Sequence, residues 1–389
     1  MTSLNNKLLW EKTRLDEVAQ LDCQSIHPSD TLDQTAYLGL EHLNGEGGIN
    51  LAETVASADL KSNKYKFSRH HILYGKLRPY LRKISRPDFE GICSTDIIPI
   101  LPGEKISRNY LFHFLRTPLM VQLATNQSSG ANLPRLNPKR LASFHIPLPP
   151  LSEQKRIAGI LDTADALRVK RRESLVLLDK LIQSTFLDMF GDPVTNPMGW
   201  EIRELGKICD VRDGTHDSPK YVEEGYPLLT SKNFKEGQIQ YAGANLISKE
   251  DFTQINKRSK VDVGDLVMPM IGTIGNPVLV EKEPDFAVKN VALIKFSVKS
   301  PDNRFIRELL CSHYFDHITS KANRGGTQKF VALKDLRGMS IPFPPIQLQR
   351  RFAAIVESIQ KQKERIRAHL SELDTLFASL QQKAFNGEL

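Results

Sequence analysis

One stretch of this chain occurs twice, and that repeat limits the possible folds more than any other feature. IPLPPLSEQKRIAGILDTADALRVKRRESLVLLDKLIQSTFLDMFG begins at Ile146, and IPFPPIQLQRRFAAIVESIQKQKERIRAHLSELDTLFASLQQKAFN begins at Ile341, aligned without a gap. Pro149 and Pro150 return as Pro344 and Pro345, Gln154 and Arg156 as Gln349 and Arg351, and Leu175, Leu178 and Asp179 as Leu370, Leu373 and Asp374. Paired prolines favour an extended approach and cannot lie inside a helix, while the residues after them contain no comparable break. The pattern predicts a helix from near Ser152 to about Met189, roughly 55–60 Å long, and a second one to match.

Apolar residues in the second copy follow three-and-four spacing: Phe352, Val356, Ile359, Ile366, Leu370, Leu373, Phe377, Leu380 and Ala384. The first copy supplies Ile157, Leu161, Ala164, Leu175, Leu178, Ile182 and Met189 in the same register. A seam this narrow on a lone helix in water stabilises nothing, so each copy requires a partner, and the other copy is nearest to hand. Arg168, Arg171 and Lys363 interrupt it. The plain expectation is that these charges snorkel to solvent; the sharper one is that they set register or orientation.

At 389 residues the chain can hold more than one core, and the repeat makes two the natural count. No run of apolar residues is long enough to span a membrane, and the first residues, MTSLNNKLLWEKTRLDE, contain no apolar signal core, so the expected location is the cytoplasm. Cys23, Cys93, Cys209 and Cys311 lack zinc-type or CxxC spacing and read as reduced core residues. A net charge of +8 fits a polyanionic partner without proving one.

Ahead of each helix lies a module. WEKTRLDEV at Trp10 has its counterpart in WEIRELGKI at Trp200, and both modules alternate β-like runs with Gly, Asn and Pro punctuation. The first includes TAYLGLEHL, the run from Phe67 to Tyr74, GICSTDIIPIL and a predicted helix over NYLFHFLRTPLMVQLA. Its densest positive stretch, YGKLRPYLRKISR, holds Lys76, Arg78, Arg82, Lys83 and Arg86 with Tyr80 among them, a combination suited to phosphate and stacking contacts. The polar run TNQSSGANLPRLNPKR adds Asn126, Gln127, Ser128 and Arg135 as candidate base or phosphate contacts. A solvated edge and an ordinary surface loop are the competing accounts.

The second module holds VRDGTHDSPKYVEEGYPLLTSKNF, VDVGDLVMPMIGTIGNPVLV, FAVKNVALIKF and a predicted helix over NRFIRELLCSHYFDHITSKA. Its candidate contacts are Thr215, His216, Lys220, Lys232 and Thr273, with Arg324, Gln328 and Lys329 in the loop NRGGTQKFVALK. His216 beside Asp217 has no second ligand at metal spacing, so neither metal nor acid–base chemistry is expected. There is no GxxxxGK[ST], HExxH, GxSxG or CxxC pattern, and neither Pro-Pro pair follows Asn or Asp. No catalytic or metal-binding residue is assigned.

Taken together and in this order, the two IPxPPxxxQxR segments, the paired tryptophan segments, YGKLRPYLRK, DGTHDSPKY, GDLVMPMIGTIG and GTQKFVALKDL resemble the specificity (S) subunits of type I restriction-modification systems over essentially the whole chain. Leu348 departs from the resemblance, since the family usually has Glu before this Gln, as at Glu153. The resemblance implies an α+β protein: target-recognition domains at 1–145 and 193–340, and spacer helices at 146–192 and 341–389. Those helices would pair as an antiparallel coiled coil with pseudo-two-fold symmetry. It implies Gln154, Arg156, Leu175, Leu178, Ile182, Gln349, Arg351, Leu370, Leu373 and Phe377 as helix-pairing or partner-contact residues. It further implies double-stranded DNA, two methyltransferase subunits and two restriction subunits as partners. S-adenosylmethionine, ATP and magnesium would bind those subunits, and no cofactor this chain. The alternatives are a self-contained methyltransferase or nuclease, and a coiled-coil adaptor that binds proteins.

Overall fold

The computed structural model describes residues 10–50, 52–235, 237–270, 274–322 and 331–389. It is a mixed α and β structure with two very long helices, Leu151–Phe190 and Ile346–Asn386, of 40 and 41 residues, each about 60 Å long. The chain divides into two units. One runs up to Arg172 and takes back Ala368–Leu389, and the other is Glu173–Arg367. Each unit therefore contains the first part of one long helix and the last part of the other.

The modules repeat one topology. In the first, an antiparallel sheet has the order Ala19–Leu21, Ile97–Pro102, Ile72–Gly75, Ile84–Ser85, and in the second the order is Asp210–Asp213, Val291–Lys295, Leu266–Pro269, Val278–Leu279. A further sheet in each contains one parallel pair, Ala36–Leu38 with Gly91–Cys93 and Tyr226–Leu229 with Ala287–Val288. Short ribbons join each module start to the strand before its helix: Lys12–Arg14 to His145–Pro147, and Glu201–Glu204 to Ser340–Phe343. The duplication seen in the letters of the helices is thus also a duplication of folds.

Both predicted module helices are broken in two. NYLFHFLRTPLMVQLA forms Arg108–Leu115 and Pro118–Asn126, because Pro118 cannot continue a helix and Thr117 instead caps the next one, accepting from the Met120 amide at 3.3 Å. The second-module segment forms Asn303–Cys311 and His313–Ala322, with the Ser312 hydroxyl donating to the Leu309 carbonyl at 2.7 Å. The helix Lys249–Ser259 had no counterpart among the expected elements, although Ser248 caps it through the Asp251 amide.

The seam residues bury where the long helices meet module cores. In the first unit Ile157 and Leu161 join Tyr110, Leu111 and Phe114, and the end of the second long helix adds Phe377, Ala384 and Phe385. Phe385 lies 5.3 Å from Tyr110 and 5.2 Å from Phe114 between ring centroids. In the second unit Phe186, Phe190, Phe305 and Phe352 form one aromatic cluster with centroids 4.8–5.6 Å apart. Burial of each such ring contributes about 1.5–3 kcal/mol. Antiparallel pairing is visible within each unit. Arg156 reaches the Leu389 carbonyl at 2.8 Å while Arg168, further along, reaches Asp374 at 2.6 Å; in the other unit Asp179 meets Lys363 while Phe190 meets Phe352.

The expectation that charges in the seam snorkel to solvent fails at two of three positions. Arg168 is 7% exposed, bridges Asp165 and Asp374 at 2.6 Å each, and stacks 4.4 Å over Phe377. Lys363 is 5% exposed and paired with Asp179. Only Arg171 is exposed. A guanidinium with a carboxylate on either helix has no need of water, so partner carboxylates, invisible to a periodicity argument, decide the outcome.

Candidate nucleic-acid interface

In the first module the strand Ile72–Gly75 leads into a turn in which Arg78 and Arg82 both adopt left-handed backbone, φ 50° and 54°, around the single helical turn Pro79–Leu81. Such conformations cost of order 1–3 kcal/mol each for non-glycine residues and persist only where neighbours hold them. Here the Arg82 amide donates to Pro79 O at 2.9 Å, and the Arg78 amide to Pro134 O at 2.8 Å. That second bond belongs to the polar run. Ser128–Ser129 and Arg135–Leu136 form a small hairpin, and the Leu136 amide donates to Lys76 O at 2.9 Å. Two segments far apart in sequence therefore become one surface.

Within that surface the candidate residues differ. Tyr80, Asn126 and Gln127 are exposed, and Lys76, Arg78 and Arg82 are half-buried. Arg78 donates to Asn132 O at 3.3 Å. Lys83 is occupied by the Leu40 carbonyl at 2.6 Å, Ser128 by the Ala124 carbonyl at 2.7 Å, and Arg135 forks onto Asp96 at 3.0 and 3.2 Å. Arg86 turns inward altogether, pairing with Asp162 at 2.9 Å and lying 4.0 Å over Phe112.

In the second module Thr215 and His216 follow the strand Asp210–Asp213, and Gly214 allows the close approach: a Cβ there would lie 2.6 Å from Val288 O. His216 Nε2 is 2.8 Å from Asp213 Oδ2 and Nδ1 is 2.9 Å from Asn290 Oδ1. Arg258 donates to the other Asp213 oxygen at 2.6 Å. The His216 pKa is raised, first by the hydrogen bond with Asn290 and then by that with Asp213. Burial alone would push Asp213 up, but the bond from His216 and the Arg258 charge hold it below the usual carboxylate value. Lys289 donates to Ser218 at 2.6 Å, and Ser231 donates to Asn290 O at 3.4 Å, which brings the exposed Lys232 on the turn Ser231–Asn233 to the same region. Lys220 is exposed on the same loop as His216. Thr273, Arg324, Gln328 and Lys329 lie outside the described residues.

Asp213, Arg258, Lys289 and Asn290 had no place among the sequence candidates. Arg258 sits on the unexpected helix. Lys289 and Asn290 lie inside the β-like run FAVKNVALIKF, which breaks at Asn290 with φ 55°. The available signal was Asn, which among non-glycine residues readily tolerates a left-handed interruption between two apolar runs.

Gln154 and Gln349 face inward. Gln154 is fully buried, accepts from the Ser107 amide at 2.8 Å and donates to Lys105 O and Pro149 O at 3.0 and 2.8 Å. Gln349, also fully buried, accepts from the Asp302 amide at 2.9 Å and donates to Pro344 O at 2.7 Å. Arg156 forks onto Glu153, and Arg351 is exposed. Ile182 and Phe377 are buried, whereas Leu175, Leu178, Leu370 and Leu373 are half-buried. Among the described residues no group of three His, Cys, Asp or Glu side chains could hold a metal ion, and no helix is long and apolar enough to cross a membrane.

A family model described as the type I restriction modification DNA specificity domain matches residues 7–176 and again 197–374, once for each module with most of its helix. The chain belongs to the type I restriction-modification specificity family. It is accordingly a specificity component and not an enzyme in its own right. Among specificity-family relatives, the type I restriction enzyme EcoDI specificity subunit of Escherichia coli is 30% identical over 191 residues, covering 48% of this chain and 42% of that protein. The MjaVIII specificity subunit of Methanocaldococcus jannaschii is 27% identical over 304 residues, 71% of each chain. The crystal structure of the type I restriction-modification S subunit from M. genitalium superposes with a TM-score of 0.61 at 16% identity, covering 99% of this chain and 98% of that one, a likeness of fold.

Proposed function

We infer that this chain reads a split, asymmetric site on double-stranded DNA for a type I restriction-modification complex. Residues 1–145 and 193–340 are the two readers, and 146–192 and 341–389 the helices that space them and carry two methyltransferase subunits, with two restriction subunits in the full assembly. The observation that carries this reading is the twofold match to the specificity domain, joined to unlike loop chemistry in two like modules: Lys76, Arg78, Tyr80 and Arg82 in one, Thr215, His216, Lys220 and Lys232 in the other. Like folds with unlike loops call for half-sites that differ. In the complex, S-adenosylmethionine, ATP and magnesium bind the partner subunits, and this chain's contribution is selection of sequence.

The test uses the purified full chain. It should bind duplex DNA with an affinity that falls steeply with salt, and transfer no methyl group until methyltransferase subunits are added. Sequencing methylated adenines in cells that carry the chain with its partners should then return one bipartite motif. Methyl transfer by the chain alone, or no retention on DNA at low salt, would overturn the assignment.

A further inference from the structure

The polar cluster at the second module's loops holds an arrangement that the assignment above does not use. Asp213 is 9% exposed, yet both of its carboxylate oxygens are taken by side chains at the surface, His216 at 63% and Arg258 at 71% side-chain exposure. Its backbone carbonyl is held as well, by the Ser259 hydroxyl at 2.9 Å. His216 then reaches Asn290 Oδ1, while the Asn290 main chain is fixed through its amide on Thr215 O at 3.2 Å and its carbonyl under Ser231. With its oxygen facing the imidazole, the half-buried Asn290 turns its amide nitrogen away, and that nitrogen has no hydrogen-bond partner among the described residues.

We propose that Asn290 is a DNA-contacting residue of the second module, presented as a hydrogen-bond donor to an acceptor on the duplex by the Asp213–His216 pair, which acts as its positioning device. The proposal rests on the DNA-reading function inferred above. The acceptor is either a phosphate oxygen or an acceptor on a base edge, chemistries that an Asn amide serves equally well.

The polarity follows from counting protons. Asp213 is a carboxylate and can only accept, so the Nε2 proton of His216 is committed to it whether the ring is charged or neutral. Nδ1 can donate to Asn290 only when the ring carries its second proton. In a neutral ring Nδ1 becomes an acceptor, and the bond survives only if Asn290 turns over, placing its NH2 toward His216 and its oxygen toward the DNA. Asn290 is therefore a donor to DNA with His216 charged and an acceptor with His216 neutral. The charged groups around His216 are Asp213 at the end of the preceding strand, Arg258 on the Lys249–Ser259 helix, and Asp217 and Lys289 on the flanking loop segments. The hydrogen bonds with Asn290 and Asp213 raise the His216 pKa and so extend the charged form toward higher pH.

Four full-length variants test this: Asn290→Gly, which keeps the left-handed backbone; Asn290→Asp, which keeps the shape but replaces the donor with an acceptor; and His216→Ala and Asp213→Asn. Affinity is measured by fluorescence anisotropy against pH, and the methylated motif is read in cells supplied with the methyltransferase partners. Asn290→Gly should weaken binding about tenfold, the weight of one good hydrogen bond, and Asn290→Asp by more. If the second half-site motif relaxes at one base, the acceptor is a base edge. If affinity falls on duplexes of any sequence with the motif intact, it is a phosphate. Wild-type affinity should fall as pH rises through the raised His216 pKa, and His216→Ala should lack that component. Asp213→Asn should move it to lower pH. Because His216 is exposed, His216→Ala remains informative even if the buried Asp213 variant does not fold. Unchanged affinity and motif in both Asn290 variants would overturn the contact. Coincident pH profiles of wild type and His216→Ala would overturn the positioning role. If the wild type itself neither binds DNA nor directs a motif, the underlying function fails instead.

Discussion

Replacing Gln154 with Ala removes a side chain that is fully buried and makes three hydrogen bonds, one accepted and two donated. The Ser107 amide is left without an acceptor inside the protein, at a cost of about 1–3 kcal/mol, and two carbonyls each lose a donor at a smaller cost. The one buried methylene lost, Cγ, adds about 0.8 kcal/mol. Because these contributions overlap, the expected destabilisation is about 3–5 kcal/mol. The duplication supplies an internal control: Gln349 makes two such bonds, so Gln349→Ala should cost less by about one hydrogen bond, roughly 1 kcal/mol. Guanidinium denaturation gives the sum, and hydrogen exchange at the Ser107 and Asp302 amides assigns each loss to its unit, which matters because a chain of two units need not unfold in one step. If Gln154→Ala left stability within about 0.5 kcal/mol of wild type while blocking association with a partner subunit, the inward-facing role would be refuted.

Arg168→Ala should cost about 3 kcal/mol in chemical denaturation, because it leaves the buried Asp165 only the longer 3.4 Å bond from Arg116 and uncovers Phe377; a loss below about 1 kcal/mol would mean that the pair is no better than a surface bridge. Acid should weaken the first unit in two stages. Burial lowers the His113 pKa, so its share of stability is present above the ordinary value of 6.5 and lost as pH falls below it. Burial alone would raise Asp162, but bonds from His113 and Arg86 outweigh it, so its share is lost lower, as pH falls below 3.8 toward the depressed folded value. Asp162→Asn should abolish the lower stage in pH-dependent thermal melts, and an unchanged profile would count against the network. The fragment 1–192 should dimerise in sedimentation and read a palindromic form of its half-site, since Ile182 and Phe190 occupy the repeat positions of Phe377 and Phe385 that close the first core. A monomer with an ordered long helix would contradict this.

Ile146 to Phe190 and its copy were legible because proline pairs, seam spacing and freedom from breakers are all local properties of the chain. Much of the basic turn was legible too, since a run with Lys76, Arg78, Tyr80 and Arg82 declares itself by composition. The tertiary structure decided which of those charges remain for a ligand. Lys83, Arg86 and Arg135 met an acceptor on a distant segment, and no spacing rule encodes the meeting of Arg135 with Asp96 or of Arg86 with Asp162. The same holds for Arg168, whose burial depends on a carboxylate from the far end of the chain, and for Asn290, whose amide orientation depends on a histidine that pairs with it only after folding. Periodicity reports which face of an element is apolar; which polar group meets which is a property of elements brought together, and it is there that charge is either neutralised or left for DNA.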